Sequence, residues 1–269
     1  MRRDLFALTD TVAVVTGAAG LLGREHCRAL AAAGATVYAC DRDAESARAA
    51  VQELGAHHRG LGLDVTDAEG LVDLREQILR ECGRIDILVN NAAMNDMVEA
   101  PLSSGAPSAF ENYPLTLFRK VLDVNVTGVF LTSQIIGSHM AEVGRGSIIN
   151  IASTYGVVAP DQRLYRNPDG TQSFYKSAAY PASKGAVVML TKFMATYWAG
   201  SGVRANTLSP GGVENNQNEH FQKLYAERTP MGRMAAPSDY QGALVFLASE
   251  ASGYMTGHNL LVDGGWTAW

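Results

Sequence analysis

Thr11-Val12-Ala13-Val14-Val15-Thr16-Gly17-Ala18-Ala19-Gly20-Leu21-Leu22-Gly23 decides the fold. A short apolar run ends at a threonine, three glycines follow at intervals of three, and an alanine- and leucine-rich stretch continues to Ala33. The apolar run reads as a buried strand. The Leu21–Ala33 stretch, with its charges on one side, reads as a helix. Glycine permits the tight turn between them and lets another molecule approach the backbone. The free N–H groups at the helix start suit an anion, and a pyrophosphate is what strand, glycine turn and helix hold in this order. Gly17, Gly20 and Gly23 are therefore candidate cofactor residues.

The alternation continues along the chain. Strand-like segments at Thr36–Cys40, Gly60–Leu63, Ile85–Val89, Ser147–Ile151, Val203–Leu208 and His258–Val262 follow the first at Thr11–Val15. Helix-like segments at Ala44–Leu54, Ala68–Cys82, Leu117–Met140, Ala178–Gly200 and Ser238–Ser249 come between them. Alternating βα units with apolar strands imply an α/β, doubly wound Rossmann-type fold, a parallel sheet with helices on both faces. No Pro/Ser-rich linker divides the chain, so residues 1–269 read as one domain. Met94–Pro114, Ala159–Ser177 and Glu214–Ala236 fit no regular element. Each follows the C-terminal end of a strand, where open α/β sheets bind ligands, and long loops there commonly carry function. Within the third, Phe221 and Leu224 recur at helical spacing, so Asn218–Arg228 reads as a short helix over the pocket.

With 47% hydrophobic and 18% charged residues, the chain can bury a substantial core. Its net charge is −5, and its basic clusters are short, such as Met1-Arg2-Arg3. That argues against nucleic acid or an anionic membrane as partner and leaves a small molecule. The three cysteines, Cys27, Cys40 and Cys82, lack metal spacing and cannot all pair within the chain. They suit a reducing cytoplasm. No unbroken run of about 18 apolar residues and no signal-peptide core are present, so a soluble cytoplasmic protein is expected. His57-His58 reads as a solvated or strand-edge pair, since nothing near it completes a metal site.

Asp41 closes the second strand, 24 residues after Gly17. An acidic side chain there can accept hydrogen bonds from both hydroxyls of an adenosine ribose, whereas a 2′-phosphate would meet like charge. NAD is thus favoured over NADP, although Arg42 next to it softens the discrimination and a solvent-facing turn aspartate is the plain alternative. Asp64-Val65, after the third strand, would flank the adenine. Asn90-Asn91-Ala92-Ala93 ends the fourth with small residues that let a cofactor lie close.

Tyr180-Pro181-Ala182-Ser183-Lys184 sets a phenol and an ammonium four residues apart, one above the other on a helix. A neighbouring cation favours the phenolate and moves the phenol toward acid/base work near neutral pH. Tyr180 is the only tyrosine followed by lysine at that distance. A solvated helix face is the bland alternative.

Taken together, the glycine turn, Asn90-Asn91-Ala92, Asn125 in Leu122-Asp123-Val124-Asn125, Ser153 in Asn150-Ile151-Ala152-Ser153, Tyr180 with Lys184, and Ser209-Pro210-Gly211 resemble the short-chain dehydrogenase/reductase family over essentially the whole chain. The resemblance implies Tyr180 as general acid/base, and Ser153 as the hydrogen-bond partner of the substrate oxygen. It implies Lys184 as the cation on the nicotinamide ribose and Asn125 as the anchor of a proton-relay water. Leu21, Leu22, Ala92, Pro210, Gly211 and Val213, with Tyr180 and Lys184, join the glycines, Asp41, Arg42, Asp64, Val65 and Asn91 as implied cofactor contacts. A homo-oligomer, tetramer or dimer, is implied too. On the residues alone, Ser153 is also compatible with a cap after a strand, and Asn125 with a local kink in its helix.

Two features depart from the common pattern. Gly17, Gly20 and Gly23 have the spacing of the family's larger sugar-nucleotide branch, the usual single-domain members having the central glycine one position later. Ser153 and Tyr180 stand 27 positions apart, more than a compact site needs. The surplus, with Asp161, Gln162, Arg163, Tyr165, Arg166, Asn167 and Asp169, must loop out beside the substrate pocket or toward another subunit. This insertion and Gly211-Gly212-Val213-Glu214-Asn215-Asn216-Gln217 resemble a subgroup associated with bacterial surface-sugar and flagellin-modification pathways. The polar Glu214–His220 stretch suits sugar hydroxyls, or is a solvated loop. Trp266 and Trp269 at the chain end are expected against another subunit. The expectation is an NAD-dependent alcohol dehydrogenase/ketoreductase acting on a sugar-like or polyol molecule. The alternatives are a sugar-nucleotide epimerase or dehydratase, which the lack of a large C-terminal substrate domain weakens, and a catalytically idle NAD-binding regulator.

Overall fold

The first strand, β1 (Val12–Thr16), is buried along its whole length because both of its faces meet helices. Ala13 and Val15 pack on one side with Cys27, Leu30, Leu244 and Leu247. Val12 and Val14 pack on the other with Leu71, Ile78, Ile136 and Met140. That division follows from the two-residue period of a strand. In this computed structural model, which describes residues 4–96, 108–172 and 174–269, seven strands form one parallel sheet. They are β1, β2 (Thr36–Asp41), β3 (Arg59–Gly62), β4 (Ile87–Asn90), β5 (Gly146–Ile151), β6 (Val203–Pro210) and β7 (Asn259–Val262), in the order β3-β2-β1-β4-β5-β6-β7. Helices α1 (Leu21–Ala32) and α7 (Gln241–Ala248) cover one face. Helices α3 (Ala68–Cys82), α4 (Leu115–Glu142) and α5 (Ala179–Trp198) cover the other. The remaining helices are α2 (Ala44–Val51), between β2 and β3, and α6 (Glu219–Arg228), after β6.

The chain winds outward from β1 to β3 and then returns to β4 on the opposite flank of β1. The carboxyl ends of β1 and β4 therefore flank the crevice where the strand order reverses, the place such sheets reserve for a ligand.

Each expected element is present, with ends moved by a few residues. The fourth strand begins at Ile87 rather than Ile85 because Asp86 turns its side chain to the sheet edge: its Oδ2 accepts the Val12 N–H at 2.9 Å. The last helix divides into a short 3-10 turn, Pro237–Tyr240, and α7. His58 is a strand-edge residue, its Nδ1 accepting the Val37 N–H at 3.0 Å. Helix α4 is long and apolar enough on average to cross a bilayer, although it holds no unbroken run of about 18 apolar residues. Its apolar side is taken up by the sheet instead, with Val121, Val129, Ile136 and Met140 buried. Two wider π turns, Asp123–Thr127 and Ser133–Gly137, interrupt it.

Trp266 is buried within its own chain, stacked on Tyr225 at 4.2 Å, so no second subunit is needed to cover it; Trp269 is exposed. On α5, Met189, Phe193 and Tyr197 recur every four residues and are left uncovered by the described residues of this chain.

Candidate active site

The glycine turn is built for close approach. Gly17 has φ +62°, and a Cβ on it would lie 2.7 Å from the Ala92 Cα. Gly23 serves packing inside the turn, since a Cβ there would come within 2.2 Å of the Gly17 carbonyl oxygen. Gly20 is the N-cap of α1 and brings no side-chain cap, and the first turn carries no acid, so the helix N–H groups stay available to an anion. Asn91 clamps the turn from β4, its Nδ2 donating to the carbonyls of Thr16 at 3.0 Å and Gly17 at 2.9 Å. The Thr16 hydroxyl accepts the N–H groups of Asn91 and Ala92, each at 3.1 Å. At the end of β2 the Asp41 Oδ2 accepts the Ala19 N–H at 3.0 Å, which fixes a carboxylate beside the turn. Arg42 next to it is exposed.

Asp64 spends its Oδ1 on the N–H and hydroxyl of Thr66, at 2.9 and 2.7 Å, and these bonds hold its carboxyl below the usual range. Val65 is buried against Gly128 of α4. Both stand at the same sheet edge as Asp41, outside the main cavity.

That cavity, of about 590 Å³, opens along the carboxyl ends of the strands. Leu21, Leu22 and Asn91 line it, as do Ser153, Tyr180 and Lys184 with Pro210, Gly211 and Val213. Tyr180 is on the first turn of α5, and Lys184 one turn further on. Lys184 is buried, with its Nζ 2.8 Å from the Ile151 carbonyl oxygen and 5.7 Å from the centre of the Tyr180 ring. Burial pulls its ammonium down to about 8, so it remains mainly charged at neutral pH. Ser153 is indeed a cap: its Oγ accepts the Tyr155 N–H at 3.1 Å at the start of the turn Thr154–Gly156, and it also faces the cavity.

Asn125 is both buried and kinked. It sits in the π turn of α4, where its Oδ1 accepts the Met94 N–H at 2.6 Å and its Nδ2 donates to the Met94 carbonyl at 3.1 Å and the Ser183 Oγ at 2.9 Å. The Ser183 hydroxyl donates in turn to the Tyr180 carbonyl at 2.7 Å. Asn125 therefore ties the exit of β4 to the helix of Tyr180, and its own side-chain amide is spent. It does not line the cavity.

The long stretch before Tyr180 folds over the cavity. Leu164 is buried with Tyr225, Met234 and Trp266, and the Tyr165 ring lies 5.4 Å from Phe174 and 5.5 Å from Phe221 of α6. Arg228 of α6 pairs with Asp161. Helix α6 starts where the spacing of Phe221 and Leu224 puts it, with the Asn218 Oδ1 capping the Phe221 N–H at 2.8 Å. Of the polar stretch Glu214–His220, which runs into the first turn of α6, Asn215, Gln217, Asn218 and His220 face the cavity. Gln217 is also engaged locally, donating to the Val213 carbonyl and accepting the Asn215 N–H, each at 2.8 Å. Part of the expected Met94–Pro114 loop, residues 97–107, lies outside the described residues.

One residue that sequence reasoning missed is Lys176. It is buried, lines the cavity, and holds its Nζ 4.6 Å from the centre of the Tyr180 ring, nearer than Lys184. The signal was present, since Lys176 stands four residues before Tyr180 as Lys184 stands four after. Among the described residues no group of three or more His, Cys, Asp or Glu side chains could hold a metal.

The donor set fits a dinucleotide: a glycine cradle that a Cβ would fill, an uncapped helix start, a carboxylate at the end of β2 and a buried ammonium in the cavity. Fold and site define an oxidoreductase that acts on secondary alcohols with a nicotinamide cofactor. Known proteins agree. A family model described as enoyl-(acyl carrier protein) reductase matches residues 17–267. The galactitol 2-dehydrogenase (L-tagatose-forming) of Cereibacter sphaeroides is 36% identical over 274 residues, covering 99% of each chain. The solved gluconate 5-dehydrogenase from Burkholderia cenocepacia, in complex with NADP and tartrate, is similar with a TM-score of 0.85 and 32% identity, over 99% of this chain and 98% of that one. A short-chain dehydrogenase from Leptospira borgpetersenii with bound NAD+ is similar with a TM-score of 0.85 and 31% identity, over 99% of this chain and 97% of that one. The chain belongs to the short-chain dehydrogenase/reductase family, and it is a short-chain alcohol dehydrogenase with relatives that act on sugars and polyols.

Proposed function

We propose that this chain, acting as one dinucleotide-binding domain, interconverts a secondary alcohol and a ketone on a polyol or sugar-like molecule, with NAD as cofactor and Tyr180 as the acid/base. The observation that carries the reading is the convergence of Ser153, after β5, with Tyr180 and the buried Lys184 of α5 on the cavity that Leu21 and Leu22 of the glycine-turn helix also line. The bound nicotinamide supplies the hydride chemistry. Tyr180 accepts the hydroxyl proton in oxidation and returns it to the substrate oxygen in reduction. Ser153, whose Oγ accepts from Tyr155, keeps its O–H to donate to the same oxygen and steady its developing charge. Lys184 has N–H groups beyond the one on Ile151, which suit a ribose hydroxyl, and its charge favours the Tyr180 phenolate. The Asn125 amide is spent on Met94 and Ser183, so that group does not hold the relay water.

Support for NAD over NADP is the Asp41 carboxylate fixed beside the glycine turn, where ribose hydroxyls would be accepted and a 2′-phosphate repelled. Solved relatives include one with NADP and one with NAD+, so this choice is read from Asp41 alone. Support for a hydroxyl-rich substrate comes from Asn95, Asn167, Asn215 and His220 on the cavity wall and from the galactitol-oxidising relative. The test is Tyr180→Phe, which is expected to lower kcat by about 10²- to 10⁴-fold while leaving NADH affinity unchanged. Turnover within tenfold of the parent protein would remove Tyr180 from the acid/base role.

A further inference from the structure

The cavity holds a pair of hydroxyls that the chemistry above does not use. Tyr155 and Tyr165 both line it, and their phenol oxygens lie 3.3 Å apart. Tyr155 stands two residues after Ser153 in the short turn that Ser153 caps, with its N–H donating to the Ser153 Oγ at 3.1 Å. Its place is therefore tied to that of the group assigned to the reacting oxygen. Tyr165 comes from the insertion. Leu164 beside it is buried with Tyr225, Met234 and Trp266, and the Tyr165 ring packs against Phe174 at 5.4 Å and Phe221 at 5.5 Å. These contacts fix a hydroxyl that the insertion carries back to the Ser153 turn.

Each phenol has one O–H to give and lone pairs with which to accept. The bond between the two uses one O–H, and among the described residues neither oxygen has another hydrogen-bond partner. One O–H and several lone pairs are left for a ligand. Burial raises both phenols, Tyr165 to about 12 and Tyr155 further, so both stay protonated at neutral pH. A neutral donor and an acceptor side by side match a group that donates and accepts through one atom. That group is a hydroxyl.

We infer that the Tyr155–Tyr165 pair is a subsite for a second hydroxyl of the substrate, on the carbon adjacent to the one that is oxidised, and that the insertion is long because it supplies Tyr165. This rests on the dehydrogenase reading and adds to it the residues that select vicinal diols over isolated alcohols. An alcohol without the second hydroxyl leaves the remaining phenol O–H facing carbon, and an unmatched donor of this kind is what lets a site reject an analogue.

The experiment measures kcat/KM for NAD reduction with matched alcohols: the isomers of butane-2,3-diol against butan-2-ol, and those of cyclohexane-1,2-diol against cyclohexanol. The parent protein is expected to favour a diol isomer over its simple alcohol by about five- to a hundredfold, the range for one unmatched buried donor. Tyr165→Phe and Tyr155→Phe each keep the ring and remove one hydroxyl, and each should remove most of that preference. The inherent reactivity of an alcohol is the same with every variant and cancels from the comparison. The double variant should lose no more than the single ones, because the two hydroxyls act as one unit. A purely packing role would instead change kcat/KM for diol and simple alcohol alike. A parent protein that favours no diol, or a preference that survives either substitution, overturns the inference, and the comparison within the parent protein stands even if a variant fails to fold. Turnover of the simple alcohols without diol preference sinks the subsite and spares the dehydrogenase reading, whereas no turnover of any of these alcohols, with NAD or NADP, removes both.

Discussion

Replacing Lys184 with methionine sets two effects of the buried ammonium against each other. Burial lowers it from an ordinary 10.5 to about 8. At about 1.4 kcal/mol per tenfold change in proton affinity, the fold carries a cost of about 3 kcal/mol for the charged form. Methionine lacks that cost and fills the space of the unbranched stem. Against this, the Ile151 carbonyl loses the donor it now has at 2.8 Å, and a buried acceptor left alone costs about 1–2 kcal/mol. Desolvation wins at neutral pH, and the cofactor-free variant should be more stable by about 1–2 kcal/mol, or about 2–8 °C in Tm. The pH dependence separates the two effects. With the folded-state pKa below the unfolded one, the unfolded chain binds the extra proton between pH 8 and 10.5. The penalty is therefore full below pH 8 and fades as the pH rises through that window. Near its upper end the carbonyl effect dominates and the order of stabilities should reverse. Thermal melts of both cofactor-free proteins at pH 7 and near pH 10.5, with turnover measured in parallel, test this. Loss of activity with a lower Tm at pH 7 would refute the reasoning, as would a stability gap that ignores pH.

The Asp41 carboxylate repels a second negative charge held a few ångströms away by about 3–4 kcal/mol at an effective dielectric near 20, reduced by exposure and salt. Asp41→Ser should therefore raise NADP affinity relative to NAD by about ten- to a hundredfold in fluorescence titrations, with Arg42 adjacent to the new phosphate; an unchanged ratio would dismiss the Asp41 argument. His26 is fully buried, and neither ring nitrogen has a hydrogen-bond partner among the described residues. Burial lowers it to about 4 from an ordinary 6.5, so the unfolded state takes up its proton first and the fold loses up to about 1.4 kcal/mol per pH unit as the pH falls from 6.5 toward 4. His26→Leu should flatten that part of the stability profile and add about 1–3 kcal/mol at pH 7, measured from urea midpoints. A variant that loses stability with acid as steeply as the parent would contradict it.

What could be read from the residues depended on the length of chain that carried each contact. Strands buried on both faces, such as β1 and β4, advertise themselves as apolar runs, and the glycine turn is local, so fold and cofactor crevice were legible. Tyr180 and Lys184 face each other through one turn of helix, which a spacing of four residues encodes. Lys176 has the same spacing on the other side of Tyr180, but it precedes α5, so no helix brings it there. Gln162, 14 residues earlier, and Asn95, 81 residues earlier, hold it in place. Such contacts are made by loop closure, and no periodicity records them. Asn125 shows the intermediate case. Its poor helix propensity marked a disturbance in α4, while its actual partners, Met94 and Ser183, lie 31 and 58 residues away. The proton-handling pair is thus written in short-range spacing and the reaction class follows from it, whereas Tyr165, half of the inferred subsite for a second hydroxyl, is brought to the cavity by the insertion. For that reason a change in the insertion at Leu164, which anchors Tyr165, should alter which alcohols are accepted before it alters how they react.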